Sequence, residues 1–102
     1  MNASDRQDGI GAAALRRDGE TLVFTGILAR DAVPGLWQQA LPQLAGVRRL
    51  DLTAVRSVDS AGLALLAELS ARAGGATVDG RPDGLDDLRA AYRLDDALAF
   101  AR

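Results

Sequence analysis

The hydroxyl of Ser60 stands where the polar stretch Arg56-Ser57-Val58-Asp59 gives way to the apolar run Ala61-Gly62-Leu63-Ala64-Leu65-Leu66. Two roles suit a serine there. As an N-cap, its oxygen or the carboxylate of Asp59 accepts an orphan amide of the first helical turn, worth about 1 kcal/mol. As a surface group it is a phosphoacceptor or a partner-contact hydroxyl, since a phosphate at a helix N-terminus meets aligned amides. Asp59 would repel that phosphate, and the added charge would break up an apolar contact. Asp51, Asp59 and Asp79 form a second candidate group, falling on or just after expected strands. They suggest an acidic metal cluster, but such pockets also use a lysine and this chain has none. Turn and cap roles are expected for them, with no metal and no cofactor.

Missing residue types exclude more chemistry than the present ones suggest. Without cysteine there are no disulfides, thiolate nucleophiles or thiolate metal sites. Without histidine there are no Ser-His triads, imidazole bases or ordinary zinc sites. All twelve basic residues are arginine, which removes Schiff-base chemistry and the phosphate-cradling P-loop lysine. Carboxylates, hydroxyls and guanidinium groups remain. A carboxylate pair acting on a glycoside is the enzyme they would permit, but 102 residues leave little room for a substrate cleft. A non-catalytic protein is expected.

The net charge is −2, and Arg16-Arg17 and Arg48-Arg49 are the only basic doublets. Phe24, Trp37, Tyr92 and Phe100 lie far apart, so a nucleic-acid surface is not expected. The longest apolar run, Ala61 to Ala67, is too short to span a bilayer. Asp5, Arg6 and Asp8 interrupt the first ten residues, where a signal peptide would need an apolar stretch. A cytoplasmic location is expected, with residues 1–11 a flexible N-terminal tail.

The elements that must position Ser60 follow from periodicity. Arg17-Asp18-Gly19-Glu20 is a turn signal, so Ala12 to Arg16 and Thr21 to Leu28 read as a hairpin. In its second arm Leu22 and Phe24 point one way, while Thr21, Val23, Thr25 and Ile27 point the other. Asp31 reads as a helix cap with Pro34 in the first turn. Val33, Leu36, Trp37, Ala40, Leu41 and Leu44 then recur at helical spacing, until Pro42 ends or kinks the helix near Leu41.

Val47 to Thr53 is the next strand. A helix follows from Asp59 or Ser60 to about Ala73, stopped by Gly74-Gly75. Ala76 to Gly80 reads as a short strand, Pro82-Asp83 opens a helix carrying Leu85, Leu88 and Tyr92, and Leu94-Asp95 begins a last turn through Phe100. The order β, β, α, β, α, β, α, α implies a single α/β domain with a mixed, largely parallel sheet.

At about 100° per residue, Leu63, Leu66, Ala67, Leu69 and Ala73 of the Ser60 helix should face the sheet. Ala61, Leu65, Glu68 and Arg72 should share the solvated side, with Glu68 and Arg72 an i,i+4 pair. An apolar leucine and small alanines beside a hydroxyl would make a protein-docking patch.

The whole segment from Leu50-Asp51-Leu52-Thr53 to Val58-Asp59-Ser60-Ala61-Gly62-Leu63 resembles the signature of STAS domains, the anti-sigma-factor-antagonist-like modules. The shared pattern is a strand ending in Asp-Leu-(Ser/Thr), a short polar loop, then Asp-(Ser/Thr)-(Ser/Ala)-Gly-Leu opening a helix. The resemblance implies a STAS (SpoIIAA-like) fold over residues 12–102: a mixed four-stranded sheet with an N-terminal hairpin and three to four helices packed on it. Val58-Asp59-Ser60-Ala61-Gly62-Leu63-Ala64-Leu65-Leu66, the Leu36-Trp37 pair and the short closing helices are most similar to the MlaB-type branch, the STAS subunits of bacterial Mla phospholipid-transport ABC complexes.

That likeness implies a cytoplasmic accessory subunit, peripheral to the inner membrane, that binds the ABC transporter ATPase subunit and supports phospholipid transport for outer-membrane lipid asymmetry. It assigns the functional hydroxyl to Ser60, and with the patch above it makes Asp59, Ser60, Ala61, Ala64, Leu65 and Glu68 the partner-binding residues. The alternative is an anti-sigma factor antagonist, in which an anti-sigma factor kinase would phosphorylate Ser60 and switch binding off. Ala61 and Ala64, where that branch commonly carries Ser and Gly, favour the transport branch.

Overall fold

The computed structural model describes residues 13–94. The tail expected over residues 1–11 and the last helical turn expected beyond Leu94 lie outside them. Strand β1 (Ala14–Asp18) runs antiparallel to β2 (Thr21–Leu28), joined by the two-residue turn Gly19-Glu20. Gly19 has φ +61°, the left-handed geometry that short hairpin turns require. Strands β3 (Arg49–Val58) and β4 (Thr77–Asp79) add in parallel, giving the sheet order β1-β2-β3-β4.

Helix α1 (Val33–Ala40) connects β2 to β3, α2 (Ser60–Arg72) connects β3 to β4, and α3 (Leu85–Tyr92) closes the described chain. Pro42 lacks an N–H and cannot continue α1, so the chain tightens into a 3-10 turn at Leu41–Gln43. Asp31 does not cap α1. It sits inside a 3-10 turn, Arg30–Ala32, and Ala32 occupies the cap position without a side-chain bond. Asp83 does not open α3 either: its backbone bonds to Arg56 and Val58, extending the sheet edge, and the helix starts at Leu85.

The helices cover one face of the sheet. Leu22, Phe24, Leu28, Leu50, Leu52, Val55 and Val58 are buried, and Leu36, Leu63, Leu66 and Leu69 pack over them. On the other face Thr21, Val23 and Thr25 stay partly open, and Arg49 bonds Asp79 at 2.9 Å.

Strand β3 runs five residues past the Thr53 where periodicity suggested it would end, and this corrects the expected polar loop. Its buried positions fall at 50, 52, 55 and 58, which is not a period of two. Register shifts against β2, between Val23 and Thr25 and between Gly26 and Ile27, account for the irregular spacing. The longer strand carries the backbone directly to Asp59.

Candidate functional site

Asp59 is the N-cap of α2, and both of its carboxylate oxygens are engaged. Oδ1 accepts the Gly62 amide at 2.8 Å, and Oδ2 accepts the Arg30 amide at 3.0 Å. The Asp59 amide donates to the Leu28 carbonyl at 3.1 Å. One side chain thus ties the helix mouth to the connection leaving β2. The Gly62 amide holds the Asp59 carboxyl below its ordinary value, opposed by partial desolvation and helped by the amides of Arg30 and Ala61.

Gly62 faces the same junction. A Cβ there would lie 2.1 Å from the Leu28 carbonyl oxygen, so no other residue lets α2 approach β2 this closely. With Asp59 serving as cap, the Ser60 hydroxyl is left over. It is exposed, and no hydrogen bond from it is found among the described residues.

Ala64 and Glu68 are exposed as expected, and Ala61 is half-buried. Leu65 is not on this surface: it is 3% exposed, part of the core. The error was to give α2 a single buried side. Leu65 shares a side with Arg72, two turns on, whose guanidinium lies 5.0 Å from the centre of the Trp37 ring of α1. Contact with both the sheet and α1 widens the buried arc to include Gly62, Leu65 and Ser70. The solvated stripe is therefore rotated by roughly 60°, to Ser60, Ala64, Glu68 and Ala71.

That rotation uncovers a feature periodicity had missed. Ser60, Ala61, Ala64, Ala67 and Ala71 floor an apolar groove of about 730 Å³, walled by Tyr92 and Leu94. Arg30 and Glu68, of opposite charge, also line it. The missed signal was the i, i+4, i+7, i+11 run from Ser60 through Ala64 and Ala67 to Ala71, whose small side chains leave the backbone approachable.

Asp51 and Asp79 are register partners on neighbouring strands β3 and β4, but Asp59 lies apart from them at the mouth of α2. Asp51 accepts the Thr53 hydroxyl at 2.6 Å and its amide at 2.8 Å, and these bonds hold its carboxyl below the ordinary range. Asp79 pairs with Arg49. Among the described residues no three acidic side chains are grouped to hold a metal ion, and no helix is long and apolar enough to cross a membrane.

Comparison with known proteins fits this geometry. The family model described as "Mlab, STAS domain" matches residues 12–99. The "Intermembrane phospholipid transport system binding protein MlaB" of Escherichia coli K12 and that of Shigella flexneri are each 39% identical to the chain over 51 residues. Those matches cover 50% of this chain and 53% of each relative, so the chain spans about half the length of the curated relatives it matches. A crystal structure described as "Crystal Structure Analysis of Mglu" superposes with a TM-score of 0.49 at 21% identity, covering 72% of this chain and 20% of that one. Sequence motif, sheet order and family match agree: the chain belongs to the STAS-domain family, in its MlaB-type branch.

Proposed function

We propose that this protein is a non-catalytic, cytoplasmic accessory subunit of an Mla-type phospholipid-transport ABC complex. In this reading it docks on the ATPase subunit through the N-terminal half of α2 and supports transport that maintains outer-membrane lipid asymmetry. The observation that carries the reading is the uncommitted, exposed Ser60 hydroxyl at the edge of an apolar groove, in a chain of this family. A hydroxyl whose capping duty falls to its neighbour is available to a partner. The small side chains of Ala61 and Ala64 admit a partner backbone to close range, and the opposite charges of Arg30 and Glu68 along the groove fix orientation. Asp59 acts by positioning, since both its oxygens are spent inside the chain. Both named relatives belong to a phospholipid transport system, so the phosphorylation-switched alternative is not pursued.

The test is co-purification with the ATPase subunit of an Mla-type ABC complex. Ser60→Arg is expected to abolish capture, and Ser60→Ala to weaken it. Full capture by both variants would remove Ser60 from the interface. Phosphate on Ser60 in cell-derived protein, together with binding to an anti-sigma factor kinase, would instead favour the switched regulator.

A further inference from the structure

We propose that the groove beside α2 is also the surface on which two copies of this chain associate, their α2 helices packed antiparallel about a two-fold axis at Ala64. The groove residues are placed symmetrically around that position. Ala61 and Ala67 lie three residues either side of Ala64, and Ser60 and Glu68 lie four either side. All of them line the groove. In an antiparallel pair of helices, residues equally distant from the axis meet. Ala61 of one copy then faces Ala67 of the other, Ser60 faces Glu68, and Ala64 faces itself. The contact line is made of alanines, whose single methyl groups let two helices come close together.

Charge favours a second copy as the occupant. Arg30 lines the same groove, and its amide is held by the Asp59 carboxylate at the mouth of α2, beside Ser60. Its guanidinium enters no ion pair among the described residues. Glu68 stands two turns on, about 12 Å along the helix from Ser60. An antiparallel partner brings its Glu68 to this copy's Ser60 and so to Arg30, and the symmetry repeats that pair at the other end. A parallel partner would set Arg30 against Arg30 and Glu68 against Glu68, which repel. Glu68 already bonds Arg72 at 3.0 Å, but both side chains are about half exposed, and such a pair holds its carboxylate weakly. Tyr92, the most exposed large hydrophobic among the described residues, also lines the groove and would be covered.

One short helix face buries less than the roughly 800 Å² per partner of a standard interface, so the association is weak and reversible. It uses the face assigned above to the ATPase subunit, so the two contacts exclude each other. That consequence rests on the docking reading, while the self-association does not.

Sedimentation velocity of the full chain at concentrations up to about 1 mM tests the proposal. The intact chain should dimerise reversibly, and Arg30→Glu and Glu68→Arg should each weaken the dimer about tenfold or more. The double variant Arg30→Glu/Glu68→Arg, which exchanges the charges, should restore it to within about threefold of the intact chain. A chain that stays monomeric throughout, single variants that dimerise like the intact chain, or an exchange variant no better than the singles would overturn the proposal. Because the chain has no native cysteine, Ala64→Cys gives a second reading. On the axis it should form an intermolecular disulfide about tenfold faster than Gln38→Cys, which is exposed on α1, and equal rates would also overturn the arrangement. If the chain dimerises in this way but the ATPase subunit does not bind it, the docking reading fails and the dimer stands.

Discussion

Asp59 and Ser60 divide between them work that either residue type can do. Both are good caps, so composition left the cap open. The structure gives it to Asp59 because the same carboxylate also receives the Arg30 amide, a contact made across 29 residues of sequence that local pattern cannot reveal. Two consequences are measurable. Asp59→Ala should lower stability by about 1 kcal/mol, read as a shift in the urea midpoint at unchanged slope.

The pH dependence follows from the direction of the shifts. Asp59 is held below its ordinary 3.8 chiefly by the Gly62 amide, and Asp51 below the same value chiefly by the Thr53 hydroxyl. The folded chain therefore protonates them less readily than the unfolded chain. Their stabilising contribution is complete above the unfolded value and is lost as pH falls through the lowered folded values. Urea unfolding from about pH 5 down to pH 2 should show a steep acid limb that Asp59→Asn flattens. An identical limb in that variant would contradict the role given to this carboxylate.

Helix α2 is the element on which expectation and structure differ most instructively. Its limits, its glycine stop and the burial of Leu63, Leu66 and Leu69 were legible from spacing, but its rotation was not. A helical wheel assumes one buried side, whereas α2 is flanked by the sheet and by α1, so Leu65 is drawn inside. The same limit shortened β3 in the reading, because slips against β2 destroyed the alternation on which strand limits depend. The rotation predicts opposite outcomes at adjacent positions. Leu65→Ala should cost about 2–5 kcal/mol as a core truncation, whereas Ala64→Arg should stay within about 0.5 kcal/mol of the unaltered chain in thermal or urea unfolding. Gly62→Ala should be at least as damaging as an ordinary overpacked core site, about 1–3 kcal/mol, because its new methyl meets backbone that cannot swing away.

At the scale of the molecule, a two-layer α/β arrangement leaves two surfaces of different character. The open sheet face carries paired charges, such as Arg49 with Asp79. The α2 flank has a hydroxyl, a groove and charged lining residues. The hairpin and the largely parallel, mixed sheet were readable from the alternation of strand and helix signals, whereas the strand order β1-β2-β3-β4 came from the structure. The groove was not readable either, because its walls come from Arg30, α2 and the end of α3, segments brought together only by folding. If binding belongs to the α2 flank, Thr53→Arg on the opposite sheet face should leave partner affinity unchanged.

Equilibrium binding of the ABC ATPase subunit to the intact chain and to its Ala64→Arg variant tests the docking surface most directly, with thermal unfolding of both as the fold control. A bulky cation on the groove floor should weaken binding about thirtyfold or more while the melting temperature stays put. A folded variant that binds the ATPase as tightly as the unaltered chain would contradict the account.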